Sequence, residues 1–522
     1  MMNVIISTES PSEDKHGAEQ ESLPSLTHHP PPPSDELFDI STTVDPGYVI
    51  SLIRKLLPID DKDGDISGEQ KTEELKTVSV SASENCEGMS TDDETKFLDV
   101  ANDVDEVEKF HRLDVVCCGS TEKGLAAREE AWEEYGCILW DLAASQPHAE
   151  FMVQNLILDV LFSSLVVSKS VRMTEISLGI IGNLACHELS RKMITSTNGL
   201  TEVVLEQLFL DDIPCLCETC RVVTLCLQGD ERVLWAEALR SERLLSRMLW
   251  IVENTLNLQL IHKSVGLLLA ALQSKQVAVI LQPPLMKLGL LRLLVDLFSF
   301  EMHKLREERL PERYYILDLV LQTIEALSVM DESSQEICAD KELFVLLTDL
   351  IKVPEKIEVA DSCVTAAVLI ANILTDAADL TLEISQDLLF LQGLFRIFPF
   401  ASADAEAKSA LWSIIARFLI QVLKLEVSPL QLHQYVSVFT SESEVIEEEL
   451  LDDHSPEEHG SPATLSRLVA RNAALNSIVQ ILNQWMSVED RIKESAAMGK
   501  FHVDKDDAHK LLRCCEQYTK RD

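Results

Sequence analysis

Apolar side chains along this chain recur at helical rather than strand spacing, and the helices they predict end alike. A leucine-rich helix ending appears seven times between Trp140 and Leu423. It reads WDLAAS at Leu142, GNLACHE at Leu184, VTLCLQG at Leu225 and LLLAALQS at Leu269. It continues with EALSVMD at Leu327, ANILTDA at Ile373 and RFLIQVL at Leu419. The intervals are 42, 41, 44, 58, 46 and 46 residues. A fixed period of this size marks a repeat architecture in which each unit buries its apolar face on its neighbours.

The expected fold is therefore all-α: a right-handed α-solenoid of armadillo/HEAT-like repeats, with a disordered acidic N-terminal region. Gly (17) and Pro (18) are sparse in 522 residues, which favours helix over strand in a leucine-rich chain. A solenoid also escapes the size limit on a single core.

The pattern divides the chain. Residues 1–35, with the run Pro30–Pro33, read as a disordered tail. Residues 36–58 carry Val49, Ile50, Leu52, Ile53, Leu56 and Leu57 at helical spacing. A helix this short is marginal alone, so it is expected to dock, either on its own solenoid or on a partner groove. Residues 59–126 read as an acidic, mostly disordered linker, and 127–440 as the solenoid. Pro147, Pro214 and Pro283 fall where helices are expected to stop or start, in the connections 145–148, 211–214 and 282–284. Residues 441–462 read as an acidic loop, with nine acids and no Lys or Arg between 441 and 459. Residues 463–522 read as capping helices that cover the last apolar face.

Charge narrows the partners. The formal net charge is −42, and residues 1–128 hold 28 acidic against 11 basic side chains. Such a surface repels phosphate backbones and anionic bilayers, so neither nucleic acid nor membrane is expected as a direct partner. The acidity serves either solubility or the steering of basic protein segments. Against it, HKLREERLPER (303–313) gathers His303, Lys304, Arg306, Arg309 and Arg313 in the longest repeat interval, where it reads as a charged insertion. Arg306, Arg309 and Arg313 are candidate partner-binding residues; the alternative is a solvated connection laced with i,i+4 ion pairs.

No residue set announces a reaction. Cys215, Cys217 and Cys220 with Cys226 offer one CxxC spacing in a helical segment, short of the paired knuckles zinc uses, and so read as core cysteines. Cys186, Cys226 and Cys363 sit in apolar helical runs and read as small hydrophobes. The vicinal pairs Cys117–Cys118 and Cys514–Cys515 make poor chelators. His187-Glu188 begins like a zincin helix, but Arg191 stands where the second histidine is needed. GxxxxGK(S/T), GxGxxG and GxSxG motifs are absent. Neither an enzyme, a cofactor nor a small-molecule substrate is expected. The start MMNVIISTES lacks a basic n-region and a long apolar stretch, and the cysteine usage fits a reduced compartment.

The segment 174–228, TEISLGIIGNLACHELSRKMITSTNGLTEVVLEQLFLDDIPCLCETCRVVTLCLQ, resembles the serum amyloid A-like proteins of the armadillo-type class. There an ILGNMAC-like helix end precedes a leucine-rich helix, an acidic turn and an ET-R helix, which Glu218, Thr219 and Arg221 match. STTVDPGYVISLIRKL (41–56) and CILWDLAASQPHAEFMVQ (137–154) match more weakly. The likeness is good over 130–240 and only general beyond Trp250. It implies nothing like the secreted apolipoprotein of similar name. It implies an armadillo-type intracellular, largely nuclear protein associated with promoting cell proliferation, whereas the cysteine usage alone is consistent with nucleus and/or cytoplasm; it carries no catalytic residues.

Armadillo arrays that hold basic peptides place a Trp four residues before an Asn on each third helix. Asn183 and Asn372 occupy comparable positions, but Gly179 and Val368 precede them. The two asparagines are candidate partner-binding residues, or they bond backbone groups of a neighbouring helix. The expected function is a non-enzymatic protein-binding scaffold, with an armadillo-type Hsp70 nucleotide-exchange factor as the alternative.

Overall fold

The computed structural model describes residues 44–57, 121–402, 404–451, 462–493 and 504–519. The chain divides into two compact units, Met1–Pro46 and Gly47–Asp522. Of the first, only 44–46 are described, so the expected tail at 1–35 and the start of the 36–58 helix lie outside the described residues, as does nearly all of the 59–126 linker in the second unit. The second unit is built entirely of helices among its described residues.

Helix α1 (Pro46–Lys55) is followed by α2 (Thr121–Ala143), and three-helix units then succeed one another. The first comprises α3 (Gln146–Gln154), α4 (Ile157–Val167) and α5 (Val171–Ala185). The second comprises α6 (Glu188–Ser196), α7 (Leu200–Glu206) and α8 (Ile213–Gln228). Next come α9 (Arg232–Leu239), α10 (Glu242–Asn254) and α11 (Leu258–Gln273), then α12 (Lys275–Lys287), α13 (Leu290–Glu307) and α14 (Pro311–Ser328). The series continues through α15 (Asp331–Ala339), α16 (Lys341–Ile351) and α17 (Ala360–Asp376), and through α18 (Leu380–Ile384), α19 (Leu388–Phe395) and α20 (Ala405–Lys424). It ends with α21 (Pro429–Ser441), α22 (Ser443–Leu451), α23 (Pro462–Lys493) and α24 (Lys505–Thr519).

The third helices stack into a ladder, α2 on α5, then α8, α11, α14, α17, α20 and α23. The second helices stack beside them: α4 packs on α7, the turn Gln207–Phe209 links α7 to α10, and α10, α13, α16 and α19 follow in turn. This is an armadillo-type solenoid. All seven leucine-rich endings lie in the last turns of ladder helices, and Leu184, Leu269, Leu327, Ile373 and Leu419 are buried there.

Local chemistry sets the helix starts. Side chains of Ser170, Asp212, Ser241, Asn257, Asp340, Asp387 and Asp404 accept from backbone N–H groups in the first turns of α5, α8, α10, α11, α16, α19 and α20. Pro147, Pro214, Pro311 and Pro429 stand in first turns, where a missing N–H costs nothing.

Three expectations need correction. Pro283 does not bound a helix: it lies with Pro284 inside α12, which runs on to Lys287. The segment 303–313 is not an insertion, because α13 and α14, of 18 residues each, absorb the long interval and leave a three-residue connection, 308–310. The acidic loop expected from 441 contains α22, whose Ile446 and Leu450 are buried; apolar residues spaced four apart hold it to the fold despite its charge.

Helix α1 docks in cis. Val49, Leu52, Ile53 and Leu56 are buried, Trp132 Nε1 donates to Leu56 O at 3.1 Å, and Lys55 Nζ lies 4.2 Å from the Tyr135 ring centroid. At the other end, α23 packs on α20, α21 and α24. Trp485, fully buried, donates from Nε1 to His433 Nδ1 at 3.2 Å.

Candidate functional site

Polar cross-links join successive ladder helices. Asn183 Nδ2 donates to Trp140 O at 2.8 Å, one repeat back, and Arg221 Nη1 donates to Asn183 Oδ1 at 3.0 Å from one repeat ahead. Arg221 also donates to Gly179 O and pairs with Glu218. The first candidate asparagine is thus tied on both sides by neighbouring helices. The half-buried Trp140 ring occupies the space over Gly179, so the indole comes from the preceding helix rather than from the position four residues before the asparagine. Asn372 is exposed, and its Nδ2 stands 3.5 Å from Ser328 Oγ on α14.

The five basic groups of 303–313 each meet a carboxylate. His303 faces Glu307 and Lys304 faces Glu308 within one turn. Arg306 reaches Asp349 on α16 at 2.8 Å, and Arg309 reaches Glu355. Arg313 clasps Glu301 through two hydrogen bonds of 2.6 and 2.8 Å, with both side chains largely withdrawn from solvent. Burial holds the Glu301 carboxyl above its usual range in spite of Arg313. The structure therefore places Arg306 and Arg309 as ties to the following repeat and Arg313 as a buried tie between α13 and α14.

Cys215, Cys217, Cys220 and Cys226 are buried in α8. Burial pushes the Cys217 thiol up to about 11 and those of Cys220 and Cys226 up to about 12, so at neutral pH they are packed as thiols. Cys363 is buried likewise, but Cys186 is exposed: it stands one residue past α5 rather than in its apolar run. Among the described residues no group of three or more His, Cys, Asp or Glu is placed to hold a metal ion.

A groove of about 900 Å³ opens where the end of α11, the helix α12 and the last turns of α14 meet. Its apolar walls include Leu269, Leu272, Ala278, Val279, Val329 and Met330. Val279 and Val329 are 69% and 76% exposed. Its polar lining is Gln322 and Glu325 on α14, Thr365 on α17, Gln273 at the end of α11, and Lys275 and Gln282 on α12.

Acidic groups crowd behind that polar side. Burial, and then the charges of Glu406, Asp404 and Asp318, raise the Glu325 carboxyl. Burial and Asp361 raise Asp318, whose Oδ2 accepts from Gln322 Nε2 at 2.8 Å. Its Oδ1 is buried and takes no hydrogen bond among the described residues. Sequence reading missed this groove, whose lining side chains are drawn from four helices spread over nearly a hundred residues.

No family model matches the chain. Over 148 residues it is 32% identical to Protein saal1 of Danio rerio, covering 28% of this chain and 31% of that protein. Over 144 residues it is 30% identical to Protein SAAL1 of Homo sapiens, covering 27% of this chain and 30% of that protein. The chain thus matches less than a third of the length of these curated relatives, which are serum amyloid A-like proteins. Among solved structures, an engineered protein aligns with 75% of this chain and 96% of its own at 13% identity and a TM-score of 0.39. A designed armadillo repeat protein in complex with the peptide (KR)4 aligns with 46% of this chain and 94% of its own, at 14% identity and a TM-score of 0.38.

Proposed function

We propose that this protein is a non-enzymatic scaffold that binds other proteins along the ladder of third helices, with basic segments as the favoured ligands. The observation that carries the reading is the surface around α14, where an apolar groove adjoins carboxylates that repel one another. Charges held together in this way are relieved by a cation, and a partner that supplies one gains affinity and a faster approach. The remaining polar ladder contacts, such as those of Asn183, serve to hold repeats together and leave the groove as the open feature. From the resemblance carried by segment 174–228 we further propose a nuclear and/or cytoplasmic residence and a part in promoting cell proliferation.

The test is chemical crosslinking of the full chain in cell extract at low and high salt, with crosslinked positions read by mass spectrometry. The expected result is partners crosslinked to ladder helices and recovered less at high salt, since exposed charge contacts are screened. Crosslinks confined to residues outside the ladder would overturn the reading. Recovery indifferent to salt would overturn its electrostatic part.

A further inference from the structure

The apolar walls and the carboxylate side of the α11–α12–α14 groove together fit a ligand that is apolar on one side and donates hydrogen bonds on the other. Val279 and Val329 offer exposed apolar walls. Pro283 and Pro284 stand inside α12 and have no N–H, so the carbonyls of Val279 and Ile280 lack their intrahelical donor four residues on. Glu325 lines the groove, backed by Asp318 on its own helix and by Asp404 and Glu406 at the start of α20; Asp361 on α17 stands behind Asp318. Lys275 is the single basic side chain among the described lining residues, and it stands at the first position of α12. The lining itself pairs one acid with one base, and the carboxylates behind Glu325 make the balance negative.

We propose that this groove docks a short segment of another protein in which an apolar residue lies beside a lysine or arginine. The apolar side chain seats against Val279, Val329 and Met330, while the cation faces Glu325 and the carboxylates behind it. The proposal rests on the scaffold reading above and adds to it a place and a ligand chemistry. A purely basic peptide satisfies only half of the site, and a purely apolar one leaves the carboxylates unrelieved. Placing an uncompensated acid against them costs more still.

The experiment is fluorescence anisotropy on the full chain with three labelled peptides: alternating leucine and lysine, lysine only, and alternating leucine and glutamate. Glu325→Gln and Val329→Asp alter the groove, and Glu448→Gln removes an exposed acid on α22 as the charge-matched control. Each variant is first shown to melt cooperatively and no lower than the parent, which the partial exposure of all three positions favours. The leucine–lysine peptide is expected to bind best and to lose about tenfold in affinity with either groove variant but not with the control. Equal losses with Glu325→Gln and Glu448→Gln would overturn the groove assignment, as would equal binding of the leucine–glutamate peptide. If neither groove variant weakens the peptide while extract partners still crosslink to the ladder, the groove assignment fails and the scaffold reading stands.

Discussion

Gly179 lies against the indole of Trp140, one repeat back: a Cβ on that glycine would fall 2.2 Å from two ring carbons. Since Asn183 on the same helix donates to the backbone oxygen of Trp140, the approach of α5 to α2 is fixed from both ends of one helical turn. Gly179→Ala is therefore expected to destabilise by roughly 1–3 kcal/mol through overpacking. Chemical denaturation measures it. Adding Trp140→Ala clears the ring, so the double variant should be more stable than the sum of the single effects predicts. Strict additivity would mean that glycine and indole do not meet.

The ladder was legible in the sequence because a solenoid repeats its burial pattern. Leu327, Ile373 and Leu419 are buried toward the ends of the successive third helices α14, α17 and α20, so their 46-residue steps give the period directly. Charge pairing was less legible. Arg306 and Arg309 find Asp349 and Glu355 at separations of 43 and 46 residues, close to one repeat, whereas i,i+4 reasoning looks only within a helix. The signal was present as acids one period downstream. Pro283 misled because a proline in an apolar run reads as a boundary, whereas packing of Leu281 and Leu285 keeps α12 intact around it. The groove was not legible at all, since it depends on how the ends of α11, α12 and α14 splay rather than on any local pattern.

Equivalent repeat positions are not energetically equal. Leu184 is fully buried, whereas Leu225, at the same point of the next unit, is only half-buried. Leu184→Ala should cost roughly 2–5 kcal/mol, with a smaller loss for Leu225→Ala. Thermal or urea unfolding of the two variants checks the order, and a reversed order would mean that the register of α5 on its neighbours is wrong.

The Glu301–Arg313 pair joins α13 to α14 at a buried point, yet burial leaves the Glu301 carboxyl raised even with the guanidinium beside it. Desolvation there outweighs attraction, so the pair adds little over an apolar replacement but is costly to break. Arg313→Met should destabilise by about 3–5 kcal/mol, while Glu301→Leu with Arg313→Met should restore most of that loss. A double variant as unstable as the single one would show that the pair is itself the source of stability. Lowering the pH should soften the single variant's defect, because protonation removes the stranded charge.

Asp318 gives the pH dependence its sign. Its carboxyl is raised by burial and by Asp361, so the folded chain holds this proton more tightly than the unfolded chain does. Between the ordinary aspartate value, about 3.9, and the raised folded value, stability falls as pH rises; above the folded value the penalty is complete. Asp318→Asn removes the charge and keeps an oxygen that accepts from Gln322. It is expected to raise the unfolding midpoint at pH 8, and the gain should shrink as the pH is lowered, vanishing near pH 4, where the wild-type carboxyl is itself protonated. Urea unfolding of the variant and parent across that range is the measurement. A gain that grew on acidification would mean the Asp318 charge stabilises the fold, and the crowding of carboxylates behind the groove would have to be abandoned.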